Sequence, residues 1–141
     1  MKKRIRIFSI TLLLMLFSTF TFADVVIVVN PDSQITSISQ KQVKRIFLGK
    51  IKKVNGKNIV AVDQNEDSVS RIEFYKSVVK KSESQLKSYW STRIFSGKGT
   101  PPKSVKNDSE VKSWVANNID AIGYIDMNLV DESVVVVYPG K

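Results

Sequence analysis

The 141-residue chain contains no cysteine and no histidine. Without cysteine there is no disulfide, no thiolate nucleophile and no cysteine zinc site. Without histidine the commonest general base and metal ligand is gone, and with it Ser-His-Asp, Cys-His and histidine-metal chemistry. Only carboxylates, lysine and tyrosine remain for acid–base work. The composition therefore points to a binding protein rather than an enzyme, with no cofactor and no metal expected. What is present is ordinary for a globular chain: 43% hydrophobic and 25% charged residues, enough apolar surface for a core and too much for wholesale disorder. The length suits one domain, or one domain behind a targeting segment.

Residues 1–23 fit such a segment. Lys2, Lys3, Arg4 and Arg6 make a cationic start with no acid, and Ile7 to Phe22 is an apolar run broken only by small hydroxyl residues. Thr21 and Ala23 put small side chains at the cleavage-site positions of a cut after Ala23. This is the three-part plan of a secretory signal peptide. The sixteen-residue run is shorter than the stretch of about 20 that a membrane-spanning helix needs. With no cysteine after it, a lipid-anchor cleavage signal is absent too. The expected product is a single periplasmic domain, residues 24–141, carrying 18 basic and 13 acidic side chains, net +5. An exported chain without cysteine fits the bacterial periplasm, where small domains need not be stapled.

Val25–Val29 is a continuous β-branched run, the pattern of a strand buried on both faces, and Asn30-Pro31-Asp32 ends it with turn residues. Ser39 and Gln42 fit a capping box, which opens a helix with Val43, Ile46 and Phe47 on one face and Gly49 as its stop. Lys53 to Asn58 reads as a polar turn around Asn55-Gly56, and Ile59–Val62 as a second buried strand. Two helices follow: one with Ile72, Tyr75, Val78 and Val79 in phase, the next capped by Ser82–Gln85 and carrying Leu86, Tyr89, Trp90 and Ile94. Gly97 to Val105 reads as a loop. Asn107–Glu110 opens a helix with Val111, Trp114 and Val115 inward, and Ala121–Ile125 and Val134–Val137 read as closing strands. This alternation predicts an α/β fold, a mixed and mostly parallel sheet flanked by helices, with ligands beyond the carboxyl ends of the strands.

Asp24–Pro31, Gln42–Ile51 and Ala121–Ile125, the last after a helix ending Trp114–Asn118, resemble the phosphate-binding family of periplasmic solute-binding proteins. The resemblance spans nearly all of residues 24–138 and is to the second lobe alone; family members have roughly double the length and close two lobes over the anion. It implies a single lobe of the periplasmic-binding-protein type, non-enzymatic, that binds phosphate or another oxyanion for an ABC transporter or sensor system; because a lone lobe leaves one side of the ion hydrated and Glu66 and Asp67 add repulsion, the binding is expected to be weak.

The family's anion loop reads Arg, acid, any residue, Gly, Ser, Gly, Thr ahead of a helix. The similar stretch here is Gln64-Asn65-Glu66-Asp67-Ser68-Val69-Ser70, followed by Arg71. By resemblance, Gln64, Ser68, Ser70 and Arg71 are the ligand-binding candidates: free NH groups and the macrodipole at a helix N-terminus receive an oxyanion, and the two hydroxyls can donate to it. Gln64 gives up the bidentate charged contact of an arginine. Asp67 and Val69 stand where the family has glycine, adding a negative charge and restricting the backbone. A second reading of the same residues is that Asp67 or Ser68 caps its own helix and occupies those NH groups.

Other patterns carry less. Asp63-x-Asn65-x-Asp67 opens like a calcium loop but has Ser68 and Phe74 where that loop requires Gly and Glu. Gly97-Lys98-Gly99-Thr100 reads as a helix stop, not a Walker loop. Three Ser-x-x-Lys spacings, at Ser77, Ser84 and Ser109, have no companion motif and read as solvated helix faces. Lys41 to Lys57 holds seven basic residues and no acid. Such a run solubilises a face or steers an acidic partner or anionic lipid, while export and the lack of interleaved aromatics speak against nucleic acid. The alternative function is a periplasmic adaptor or sensor-input module that docks on a membrane transporter or sensor protein with no small ligand. If the leader is cleaved as expected, intact-mass analysis of the exported protein should give a chain beginning at Asp24. A membrane-embedded product retaining Met1 would instead make residues 1–23 an anchor.

Overall fold

The computed structural model describes residues 24–140; the leader expected at residues 1–23 lies outside them. The strands are β1 (Val25–Val29), β2 (Lys53–Val54), β3 (Lys57–Asn58), β4 (Val60–Gln64), β5 (Lys103–Val105), β6 (Ala121–Asp126) and β7 (Val135–Tyr138). The helices are α1 (Gln40–Phe47), α2 (Val69–Phe74), α3 (Glu83–Phe95) and α4 (Asp108–Asn117), and α2 runs on into a wider π-type turn over Tyr75–Val79.

Five strands make one sheet in the order β5-β4-β6-β1-β7, and β2 and β3 form a separate hairpin. β4 is parallel to both β5 and β6, and β1 is antiparallel to both its neighbours, so four strands share one direction and β1 opposes them. The mixed, mostly parallel sheet flanked by helices is thus as expected. The runs at Val25, Ile59 and Ala121 do share one sheet, but the middle strand is shifted to Val60–Gln64. It continues past Val62 because Asp63 and Gln64 pair with Ser104 and Val105. That pairing also turns part of the expected Gly97–Val105 loop into β5, which has too little apolar pattern to announce itself.

Both sheet faces are buried, as β-branched runs require. Ile27, Val29, Ile122 and Tyr124 face one way, toward the inner sides of α1, the α2 segment and α3. Val26, Val28, Val62 and Ile125 face the other way, toward Val111 and Val115 of α4. Both expected capping boxes form, Ser39 with Gln42 and Ser82 with Gln85. On the first face Phe74 stacks on Tyr124 at 4.0 Å, and Phe47 meets Phe74 edge-on at 4.7 Å. Phe74 fills the place expected of Ile72, which is 51% exposed: the wide turn after Phe74 breaks the 3.6-residue phase on which Ile72 was aligned with Tyr75 and Val78. Ile94, in the last turn of α3, is also exposed, while Leu86 and Trp90 are buried.

Gly123 sets how closely α4 approaches the sheet. A Cβ there would lie 2.4 Å from Val111 Cγ1 and 3.0 Å from Val62 Cγ1. Both neighbours are stiff, buried and β-branched, so neither can swing away. Gly123→Ala should therefore cost about 1–3 kcal/mol through overpacking, read as a lower denaturant midpoint. A variant as stable as the parent would mean that α4 stands further from β6 than this.

Candidate functional site

β4 ends in two polar residues, and the two-residue period of a strand sends them to opposite faces. Asp63 turns into the face covered by α1–α3 and is 3% exposed; Gln64 turns toward α4 and is fully buried. Buried polar groups need partners, and each residue collects its own set.

Asp63 accepts four hydrogen bonds. Its Oδ2 takes Arg71 Nη1 at 2.8 Å and the Tyr75 hydroxyl at 2.6 Å, and its Oδ1 takes the Tyr124 hydroxyl and the Gln64 amide. Arg71, itself buried, also donates Nη1 to the Gln64 carbonyl at 3.0 Å and Nε to Glu83 Oε1 at 3.2 Å. Its guanidinium lies over the Tyr75 ring at 4.8 Å. Burial works against the charged guanidinium, but the Asp63 charge, Tyr75 and the bond to Glu83 outweigh it and hold Arg71 above its ordinary value. Burial pushes both Tyr75 and Tyr124 well above the usual phenol range, and the Asp63 charge and hydrogen bonds add to it.

Gln64 works on the other side. Its Nε2 donates to Asp108 Oδ1 at 2.7 Å and to the Tyr124 carbonyl at 3.0 Å, and its Oε1 accepts from the Ser68 hydroxyl. Ser68 is the N-cap of α2 and accepts from the Arg71 amide at 3.3 Å. Ser70 donates its hydroxyl to Asp108 Oδ2 at 2.9 Å. Asp108 opens α4 directly after its N-cap Asn107, whose Oδ1 accepts from the Glu110 amide at 3.0 Å. The Asp108 carboxylate thus sits between the first turns of α2 and α4, each oxygen taking one side-chain donor. A bound oxyanion would ask for the same arrangement. A cavity of about 360 Å³ opens here, with Asp67, Ser70, Lys106 and Asp108 in its wall. A larger one of about 620 Å³ lies between the strand ends and α3, walled by Leu86, Trp90, Ile94 and Pro101, with Arg71 among its lining residues.

Of the four residues expected to bind ligand, Gln64, Ser68 and Ser70 come together, while Arg71 is drawn away into the Asp63 cluster. Ser68 caps its helix, as the second sequence reading had it, and Asp67 is exposed. Asp63 is spent on core donors rather than grouped with Asn65 and Asp67, which are exposed. Sequence reasoning passed over Asp108, seen only as part of a helix opening, and the partners Tyr75 and Tyr124. The one available signal was an acid placed directly after a buried β-branched run, at Asp63.

No family model matches the chain, and no curated protein does. Several solved structures share its fold. An ABC-type phosphate transport receptor from Vibrio cholerae superposes with a TM-score of 0.64 at 24% identity, over 80% of this chain and 44% of that one. A putative phosphate ABC transporter substrate-binding protein from Clostridium perfringens, solved with bound phosphate, gives 0.62 at 26% identity over 80% and 43%. PstS from Borrelia burgdorferi gives 0.61 at 16% identity over 82% and 49%. The chain therefore has the fold of one lobe of a phosphate-type substrate-binding protein, and it spans less than half the length of these structures.

The Asp63 cluster makes stability fall at high pH. Tyr75 and Tyr124 keep their protons in the folded protein beyond the unfolded value of about 10, so above that pH the unfolded chain binds fewer protons. The stabilisation is complete below pH ~10 and is lost as pH rises, by up to about 1.4 kcal/mol per pH unit for each tyrosine. Tyrosinate absorbance from these two residues should appear together with the loss of far-ultraviolet circular dichroism. Ionisation of all tyrosines before any unfolding would contradict the burial.

Proposed function

We propose that this chain is an exported, non-enzymatic lobe of the solute-binding-protein type that holds phosphate no tighter than about millimolar and docks on the membrane component of an ABC transporter. One observation carries the reading: the Asp108 carboxylate already accepts from Gln64 and Ser70, the donors that an incoming oxyanion would use. A free anion must either displace that carboxylate or remain outside it, in water and close to Asp67. A lone lobe also leaves the far side of the ion hydrated, which weakens every contact it makes.

Phosphate remains the ligand to test, because the neighbouring structures from Vibrio cholerae and Clostridium perfringens are phosphate receptors or carry bound phosphate. Export is supported by the cationic start, apolar run and Ala23 of residues 1–23. Among the described residues no helix is long and apolar enough to cross a membrane, so the folded lobe would meet a membrane partner through its surface. A non-enzymatic role is supported by the absence of histidine and cysteine and by the internal engagement of the buried groups: Asp63, Tyr75, Tyr124 and Ser70 each bond to another side chain.

Calorimetric titration of phosphate at low ionic strength tests this. The unaltered protein should bind with a Kd of about 1 mM or weaker, worth about 4 kcal/mol at most. Asp108→Ala combined with Asp67→Gly removes the resident carboxylate and a like charge and frees Gln64 Nε2 and Ser70 Oγ. It should bind at least about tenfold tighter, a gain of about 1.4 kcal/mol. Micromolar binding by the unaltered protein would overturn the reading.

A further inference from the structure

We infer that the cationic face formed by α1 and the β2–β3 hairpin is a docking surface for the anionic phospholipid headgroups of a bilayer. The inference goes beyond the proposed function: it gives the lobe a contact with the lipid itself, separate from any protein partner. From Ser33 to Val62 the chain has seven basic residues and no acid. On α1, Lys41, Lys44 and Arg45 stand at i, i+3 and i+4, one side of the helix, while Val43, Ile46 and Phe47 are buried on the other. The chain then folds back on itself: the Lys50 and Ile51 amides donate to the Arg45 carbonyl at 2.8 and 3.4 Å. Asn55 and Gly56 turn the hairpin with φ of 49° and 78°, the geometry of a tight primed turn. Val54 anchors it in the core, and Lys50, Lys52, Lys53 and Lys57 are exposed. Among the described residues none of the seven cations is ion-paired with a carboxylate. Their charge is held on an ordered scaffold and left uncompensated.

The character of the face favours lipid over an acidic protein. Six of the seven cations are lysine, a hydrated point charge on a flexible stem, which is depleted from protein interfaces and lacks the planar fork of arginine. The one aromatic between Ser33 and Val62 is Phe47, and it is fully buried. The face therefore offers no aromatic anchor of the kind that dominates protein–protein binding. Charge without a stereospecific grip suits a fluid layer of phosphodiester headgroups, where each lysine near the surface contributes about fivefold in partitioning.

The test uses the chain from Asp24 to Lys141, since the whole sheet and both cores lie within residues 24–140. It should co-sediment with vesicles of equal parts phosphatidylglycerol and phosphatidylcholine at low salt, not with phosphatidylcholine alone, and release at high salt. Lys53→Glu with Lys57→Glu should lower binding by at least about tenfold. Lys87→Glu with Lys106→Glu, an equal charge change at the far ends of the strands, should lower it several-fold less. No binding to the anionic vesicles would overturn the inference, as would equal losses from the two pairs or binding to polyglutamate in preference to vesicles. Recovery of a membrane-protein complex with a chain that ignores these vesicles would refute the lipid surface and leave the docking reading standing.

Discussion

A carboxylate buried at the end of a central strand is expensive, because desolvation costs several kcal/mol before any partner is found. Asp63 is stable there only because four donors converge on it, from α2, the turn that follows, β6 and the backbone of β4 itself. Arg71 brings the compensating charge and, through Glu83, ties in the first turn of α3. Three helical segments and two strands are thereby fixed against one pair of oxygens. Whatever α2 presents at the strand ends depends on this ion pair, since Ser68, Ser70 and Arg71 lie on one short helix and its cap.

Gln64 links that cluster to the candidate site. Its backbone amide serves Asp63 and the Tyr124 hydroxyl on one face, while its side chain serves Asp108 and Ser68 on the other. An arginine at the same place would bring a positive charge to the strand ends; a fully buried neutral amide brings only donors and an acceptor, which Asp108, Tyr124 and Ser68 satisfy. Among these residues the side-chain donors are already engaged: Gln64 Nε2 with Asp108 and the Tyr124 carbonyl, Ser68 with Gln64 and Ser70 with Asp108. The fold is that of a phosphate-type lobe, and the side chains at its strand ends bond to one another.

The charge distribution follows the same division. Glu66, Asp67, Asp108 and Glu110 cluster around the strand ends and the first turns of α2 and α4, whereas α1 and the hairpin carry basic residues only. Acids at helix N-termini and bases in the last turn of α1 both complement the helix dipoles, so local helix chemistry accounts for part of the pattern. It does not account for the lysines of the hairpin, which cap nothing.

The apolar strand runs at Val25, Ile59 and Ala121, the capping boxes at Ser39 and Ser82 and the stop at Gly97 were legible in the sequence because each depends on neighbours within a few residues: period, cap and turn are local. The likeness to a phosphate-type lobe was legible for the same reason, being carried by contiguous stretches. The edge strand β5 was not, because Lys103–Val105 becomes a strand only by pairing with β4. Ile72 was misplaced because the π-type turn over Tyr75–Val79 shifted the helical phase. The state of the candidate site was decided entirely by tertiary structure. Asp108 lies 44 residues from Gln64 and 38 from Ser70. Nothing local to any of the three tells that a carboxylate from one helix will take the donors of another, because that depends on where α2 and α4 begin relative to the end of β4.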